Sequence, residues 1–336
     1  MLLEKLANLR GVSGDEGCVR RAIKELLQDS PVTIKTDSIG NLFVRKEGSR
    51  QGCRLMLAAH MDEVGLMVTA VEKSGHLKFN PVGGIDSRIL VAKRVRIGAQ
   101  GIPGVIGAKA IHLQKPGERN KPYEVEDMYI DIGVKKKEEA EKLAKVGDYV
   151  SFDSTCSKIG DGYWRGKAFD DRAGCAVLLE LLLDPQLDGF DAVFTVQEEI
   201  GSRGALTAAY TLRPERALVI EGTAAADTPG TDREASSTTL GAGPALSVMD
   251  RSIIVDRTML QELINAAQSA AIPFQFRRFT GGATDAGAVA LTGEGVKAAV
   301  VSVPCRYIHS PHSVLKESDL QSTAALVKAW LMRSEK

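Results

Sequence analysis

The sequence carries no excess charge of either sign: 43 lysines and arginines are matched by 43 aspartates and glutamates over 336 residues. That balance removes any electrostatic case for nucleic acid or an anionic membrane as a partner. No uncharged apolar stretch approaches the roughly 20 residues that span a bilayer. Met1-Leu2-Leu3-Glu4-Lys5 runs into an amphipathic pattern instead of the apolar segment of a signal peptide. Cysteine is sparse, with five residues at positions 18, 53, 156, 175 and 305 and no C-x-x-C pair. An odd, scattered set is no disulfide framework, and it implies a reducing compartment, the cytoplasm. Aromatics are only 5% of the chain, with two tryptophans. Internal repeats and low-complexity segments are also missing.

What is present is an ordinary globular composition, 44% hydrophobic, and a length that suits one large domain plus a smaller one. Ser13-Gly14-Asp15-Glu16 has capping-box spacing, with Ser13 set to accept from the first turn and Glu16 to reach back. Arg54 to Ala59 is a short continuous apolar run, as expected of a strand buried on both faces. From about Val68 to Arg165 the texture changes to short Val/Ile runs split by glycines, which predicts a small all-β module. One helix is expected inside it, over the charged run from Lys135 to Lys145. Beyond Gly166, apolar strands at Ala192–Val196, Ala217–Ile220 and Ala298–Val303 alternate with helices at Ala173–Leu183, Arg257–Ala271 and Glu317–Arg333. Such alternation indicates an α/β sandwich. The organisation is therefore a discontinuous α/β domain, residues 1–67 and 166–336, interrupted by a β-rich insert at 68–165.

The acids and histidines fall where those strands stop. Leu55–Ala59 runs into His60-Met61-Asp62, Ala192–Val196 into Gln197-Glu198-Glu199, Ala217–Ile220 into Glu221, and Ala298–Val303 leads on to His309. Open α/β sheets bind ligands just beyond the carboxyl ends of their strands. Asp170 and Asp171, at the start of the Ala173–Leu183 helix, lie within reach of the same edge. Imidazole and carboxylate together suit zinc, cobalt or manganese better than calcium. A carboxylate bridging two ions about 3.5–4 Å apart lets one water be shared and deprotonated near neutral pH. Each residue has a plainer alternative. A lone histidine at a strand end is more often a hydrogen-bonded core residue than a ligand; here Asp62 is placed to hold the second ring nitrogen of His60. A Glu-Glu pair is normally surface, but carboxylates at the end of a buried strand are costly unless cations pair with them. Asp170 could simply cap its helix. His76 and His112, inside the insert, read as structural or exposed.

His60-Met61-Asp62-Glu63-Val64-Gly65, Phe169-Asp170-Asp171-Arg172-Ala173-Gly174, Val196-Gln197-Glu198-Glu199-Ile200-Gly201, Gly281-Gly282-Ala283-Thr284-Asp285-Ala286-Gly287 and Arg306-Tyr307-Ile308-His309-Ser310-Pro311 occur in order. Together they resemble the motifs of the co-catalytic metallo-aminopeptidases that include glutamyl aminopeptidase and the tetrahedral dodecameric peptidases, some labelled endoglucanase M. The resemblance covers nearly the whole chain. It implies a mixed central sheet sandwiched by helices, with an inserted β-barrel-like domain that builds dimers and larger shells, up to a dodecamer. It implies two divalent ions per subunit, zinc or cobalt foremost and manganese next. Asp170 would bridge them, His60 and Glu221 would complete one site, Glu199 and His309 the other, and Glu198 would be the general base. The sequence departs from the family at Glu221, where aspartate is frequent, and by carrying His312 three residues after His309; His312 is expected near the substrate or behind the ligands.

The reaction implied is hydrolysis of the first peptide bond by a hydroxide shared between the ions, with Glu198 taking the proton and returning it to the leaving nitrogen. Thr284 and Asp285, on a glycine-flanked loop, are candidate substrate contacts, an idle turn being the alternative. Two further readings compete. A glycoside hydrolase needs carboxyls about 5–9 Å apart across the bond, and Glu198 and Glu199, as neighbours on one strand, would point to opposite faces. A non-catalytic, metal-stabilised assembly protein would have no use for an extra, non-ligating acid at Glu198.

Overall fold

A computed structural model describes residues 1–48, 54–117, 119–232 and 236–333; Cys53 lies outside them. Among the described residues the chain forms one large mixed sheet and one closed barrel. At the heart of the large sheet four strands run parallel in the spatial order Phe190–Thr195, Leu55–His60, Arg216–Ala225, Lys297–Arg306. Antiparallel strands extend it on both sides, Leu42–Lys46 and Thr33–Thr36 at one edge and Ser313–Lys316, Tyr163–Gly166 and Ser157–Ile159 at the other.

Side chains alternate across a pleated strand, and here both faces are covered. Leu57, Ala59, Leu218, Ile220, Ala299 and Val301 enter the core beneath the helices Phe169–Leu183, Arg257–Ser269 and Glu317–Arg333. Their neighbours Met56, Ala58, Ala217, Val219, Ala298 and Val300 face Arg203–Leu212 and Asp285–Ala290. The strands therefore read as unbroken apolar runs, and the α/β sandwich expected from the sequence is what forms. Lys46, buried in its strand, donates its ammonium to the carbonyls of Leu182 at 2.7 Å and of Asp184, satisfying the carboxyl end of Phe169–Leu183.

The barrel closes through Gly65–Val71, Leu77–Val82, Tyr129–Asp131, Ile102–Gly107, Arg94–Ile97 and Tyr149–Phe152 around its own core of Leu66, Val68, Phe79, Val95, Ile97 and Ile130. Its strands start at Gly65, just outside the expected 68–165 stretch, and end at Phe152, inside it. Tyr163–Gly166, which the sequence reading assigns to the insert, pairs onto Ser313–Lys316 of the large sheet, and Ser157–Ile159 pairs onto Tyr163–Gly166 at its edge. The helix expected over Lys135–Lys145 is shorter, Lys137–Ala140, because only Ala140 and Ala144 have a core to face. Where the chain leaves the sheet and where it returns, Glu63 and Lys167 are paired at 2.6 Å, both almost wholly buried. Arg172, fully buried, ties the same junction by donating to the carbonyls of Leu6 and Met61 at 2.6 and 2.8 Å.

Candidate metal centre

Parallel strands bring their carboxyl ends to one edge, so the sheet itself gathers the acids and imidazoles. His60 is the last residue of Leu55–His60, in register with Thr195. Glu198 and Glu199 follow that neighbour strand in a turn. Glu221 differs from expectation: its strand continues to Ala225, so Glu221 projects from mid-strand opposite Ser302. His309 comes in the turn after Lys297–Arg306. Asp170 sits where the Phe169–Leu183 helix is not yet helical, with φ −87° and ψ 102°.

Asp170 spans the cluster. Its Oδ1 lies 3.3 Å from His60 Nε2 and its Oδ2 lies 3.4 Å from His309 Nε2. Glu221 Oε2 is 3.5 Å from His60 Nε2, and Glu199 Oε2 is 3.3 Å from His309 Nε2. Two groups result, His60–Asp170–Glu221 and Asp170–Glu199–His309, with the ligand atoms of each within 4.8 Å of one another. The helix-capping alternative for Asp170 falls to its neighbour: Asp171 Oδ1 accepts the Gly174 amide at 2.8 Å and its Oδ2 the His60 amide at 3.2 Å.

Both imidazoles are oriented from behind. His60 Nδ1 lies 3.1 Å from the Asp62 carbonyl, and His309 Nδ1 lies 2.9 Å from the Gly84 carbonyl. A carbonyl only accepts, so Nδ1 carries the proton and Nε2 is left facing the carboxylates. The turns that carry these groups hold non-glycine residues at positive φ, namely Ala168, Gln197, Ser202, Tyr307 and His309. Such backbone is uphill by about 1–3 kcal/mol per residue and gathers at functional sites.

The electrostatics are those of a cluster short of positive charge. Burial pushes the Glu199 carboxyl up to about 8 even with His309 beside it, and raises Glu198 and Glu221 well above the usual range. For Asp170 burial acts upward too, but hydrogen bonds to His309 and His60 hold its carboxyl below the usual value. Burial would depress His309, yet Asp170 and Glu199 raise it to about 9; His60 is likewise raised against burial, by Asp170, Asp62 and Glu221. Glu199 Oε1 is buried with no hydrogen-bond partner among the described residues. Acids driven to hold protons, imidazoles driven to gain them and one orphaned carboxylate oxygen all fit divalent cations, and the mixed nitrogen and oxygen donors suit zinc, cobalt or manganese.

The other residues singled out from sequence are spread around this centre. Asp62 is buried behind it, accepting from Ser13 Oγ at 2.6 Å and from the amides of Glu198 and Glu199 at 3.0 and 3.1 Å. The expected capping box is therefore not formed: Ser13 serves Asp62, and Glu16 accepts from Gly14 and Gln197. Glu198 and Glu199 line the same cavity of about 380 Å³. The expectation that they point to opposite faces fails, because both lie past the end of the pleated strand. Thr284 lines that cavity with its hydroxyl 3.1 Å from Asp250. Asp285 is fully buried, bonded to Thr195 Oγ1 at 2.6 Å, with its amide 3.4 Å from Glu221 Oε1. His312 is exposed and its ring meets Ser154 Oγ at 3.1 Å, outside both groups. Asp171, expected with Asp170 at the same edge, lies behind His60 and joins neither ligand group. The Gly84 carbonyl has no counterpart among the sequence expectations, because a backbone carbonyl leaves no mark in a sequence.

A model of the M42 glutamyl aminopeptidase family matches residues 40–326. An aminopeptidase structure from the archaeon Desulfurococcus kamchatkensis is 37% identical with a TM-score of 0.92, over 99% of this chain and 96% of that one. The TET1 peptidase of Pyrococcus horikoshii, described as assembling into a tetrahedron or a large octahedral shell, is 34% identical with a TM-score of 0.86, over 98% and 97%. A lysyl aminopeptidase of Pyrococcus furiosus is 31% identical over 98% of this chain and 96% of its own length. The fold, sheet and barrel alike, is that of the TET aminopeptidases. With matches of that extent laid over an edge of buried acids and imidazoles, the chain belongs to the M42 glutamyl aminopeptidase family and is an enzyme that hydrolyses peptides.

Proposed function

We propose that the chain removes amino-terminal residues from peptides by a mechanism built on two divalent cations that share Asp170, with Glu198 as general base. The observation that carries this reading is the division of Asp170, one oxygen toward His60 and the other toward His309. His60 and Glu221 would hold one ion, Glu199 and His309 the other. Bound there, the ions would polarise the scissile carbonyl and acidify a water. The protein's own part is to place and move a proton. Glu198 lines the cavity beside Glu199, in neither ligand group, so its carboxylate is free to take a proton from the attacking water and deliver it to the departing nitrogen. Asp62 fixes the backbone on which Glu198 rides.

Residues 1–67 and 166–336 would form the catalytic domain and the barrel the assembly domain of a homo-oligomer built from dimers, as the tetrahedral and octahedral shells of the Pyrococcus horikoshii relative suggest. Ile111 and Leu113, 68% and 64% exposed on the barrel, are apolar side chains such a contact would cover. Cys18, Cys156, Cys175 and Cys305 are free thiols, in keeping with a cytoplasmic enzyme, and no described helix is long and apolar enough to cross a membrane. The deciding experiment is elemental analysis. Wild type should hold two ions per subunit, His309→Ala should lose chiefly one, and Asp170→Asn should lose both. An Asp170→Asn protein that keeps two tightly bound ions would place the bridge elsewhere.

A further inference from the structure

The junction between sheet and barrel is closed by charges that water scarcely reaches. Arg306 closes its fork on Asp227 with Nε and Nη2 each at 2.7 Å, and both partners keep part of their surface in water. Glu63 and Lys167 keep almost none. Lys167 Nζ donates to Glu63 Oε1 and Oε2 at 2.6 and 2.8 Å and to the Leu9 carbonyl at 2.5 Å, so three acceptors meet the three protons of the ammonium. Glu63 Oε1 also accepts the Gly11 amide at 3.0 Å. A Cβ on Gly11 would stand 2.7 Å from Arg172 Nη2, so glycine lets the amino-terminal segment come in this close. Taking two charges out of water offsets most of their attraction, so stability alone is a poor reason for such a pair.

We propose that Lys167 and Glu63 are positioning residues, a clasp that sets the Asp170 carboxylate for its shared role between two cations. This rests on the two-cation reading of the centre and adds what holds the shared ligand in place. Asp170 lies three residues after Lys167 and two before Arg172, in backbone that is not helical, with Ala168 at φ +56°. A stretch without a helical repeat needs fixed ends if it is to place one side chain. Lys167 fixes one end on Glu63 and Leu9, and Arg172 fixes the other on the carbonyls of Leu6 and Met61. Glu63 in turn adjoins Asp62, whose carboxylate accepts the amides of Glu198 and Glu199. The clasp therefore refers Asp170 to the same backbone that places the proposed base and a proposed ligand. Clasp and centre also share a wall: Glu63, Lys167, Asp170, Glu199 and His309 line one cavity of about 10 Å³. So little space leaves no slack to absorb a shift at the clasp before it reaches the ligands.

The test is calorimetric titration of the metal-stripped full-length protein with Co²⁺, beside its urea unfolding midpoint. Lys167→Met combined with Glu63→Gln removes the clasp without leaving one charge buried alone. Its Co²⁺ dissociation constants should rise about 10–100-fold for both ions, because both share Asp170. Lys46→Met is the comparison, since it strips a buried ammonium from the far end of the same helix, where the partners are the carbonyls of Leu182 and Asp184. It should lower the unfolding midpoint and leave Co²⁺ binding unchanged. Wild-type Co²⁺ affinity in the double variant overturns the proposal. So does a Lys46→Met protein that weakens Co²⁺ equally, which would reduce the effect to a general loosening of the fold. A loss confined to one ion also overturns it, since Asp170 serves both. If the double variant does not fold, Glu63→Gln decides: its amide keeps one acceptor and turns a donor toward Lys167, so weaker Co²⁺ binding upholds the clasp and unchanged binding overturns it. Wild type that binds fewer than two Co²⁺ ions overturns the two-cation reading and the clasp with it. Wild type that binds two, with variants that match it, overturns the clasp alone.

Discussion

Asp62 accepts the backbone amide of Glu198 on Oδ1 at 3.0 Å, and its Oδ2 takes the next amide, Glu199, at 3.1 Å. One buried carboxylate thus sets the turn carrying both the proposed base and a proposed ligand, while its carbonyl orients His60 from the other side. Asp62→Asn keeps the shape but supplies one acceptor where two are used. Kcat should fall roughly 10–100-fold with weakened metal retention, the usual cost of losing a group that orients ligands. Steady-state kinetics beside metal titration check this, and an unaltered kcat would reduce Asp62 to a packing residue.

Glu198→Gln separates base from ligand. The amide keeps the size of the side chain but cannot take a proton, so kcat should drop about 10²–10⁴-fold. Metal content should stay near wild type, since Glu198 lies in neither ligand group. Near-normal turnover in the metal-loaded variant would send the search for the base elsewhere.

The fork between Arg306 and Asp227 gives a pH signature away from the centre. Burial acts to raise Asp227, but the guanidinium outweighs it and holds the carboxyl below its ordinary value. A carboxyl with a lowered folded-state pKa adds stability above its unfolded value, about 3.9, and loses it as pH falls through the folded value. Asp227→Asn should therefore lower stability by about 1 kcal/mol or less near neutrality. The gap to wild type should close as the pH is lowered from about 5 through 3. Urea midpoints across that range read it out; a constant gap would mean that packing, not charge, is lost.

Assembly should respond to charge on the barrel. Replacing Ile111 and Leu113 together with aspartate puts two charges where an interface would bury apolar surface, and smaller particles are expected by analytical ultracentrifugation. Unchanged particle size would move the contacts to the α/β domain.

The sandwich was legible because its strands are buried on both faces, and Leu55–His60 or Phe190–Thr195 can be little else. Ligand candidates followed from asking what stands where those runs stop. Errors arose where a local pattern served a distant partner. Ser13 matches a capping box, yet its hydroxyl goes to Asp62, 49 positions away. Glu221 looked like a strand terminus because glycine and threonine follow it, although pairing with Lys297–Arg306 carries the strand on to Ala225. Ser157–Ile159 and Tyr163–Gly166 have the same texture as barrel strands and differ only in which neighbour they pair with, which no sequence pattern displays.

The bond from His309 to the Gly84 carbonyl changes what the barrel is. The module contributes no side chain to either ligand group, yet it sets the protonation pattern of one of their imidazoles. A main-chain carbonyl imposes almost no demand on residue type, so the barrel sequence is free to drift while the loop must keep its place. The exception is Gly83, at φ +87°, where a Cβ would stand 2.9 Å from Val64 and 3.2 Å from Glu199. Exchange of this barrel for another, in evolution or by design, is thus governed by docking geometry: any replacement that brings a glycine-hinged carbonyl back to the same point beside His309 inherits a working centre, and one that misses it leaves that ring free to turn.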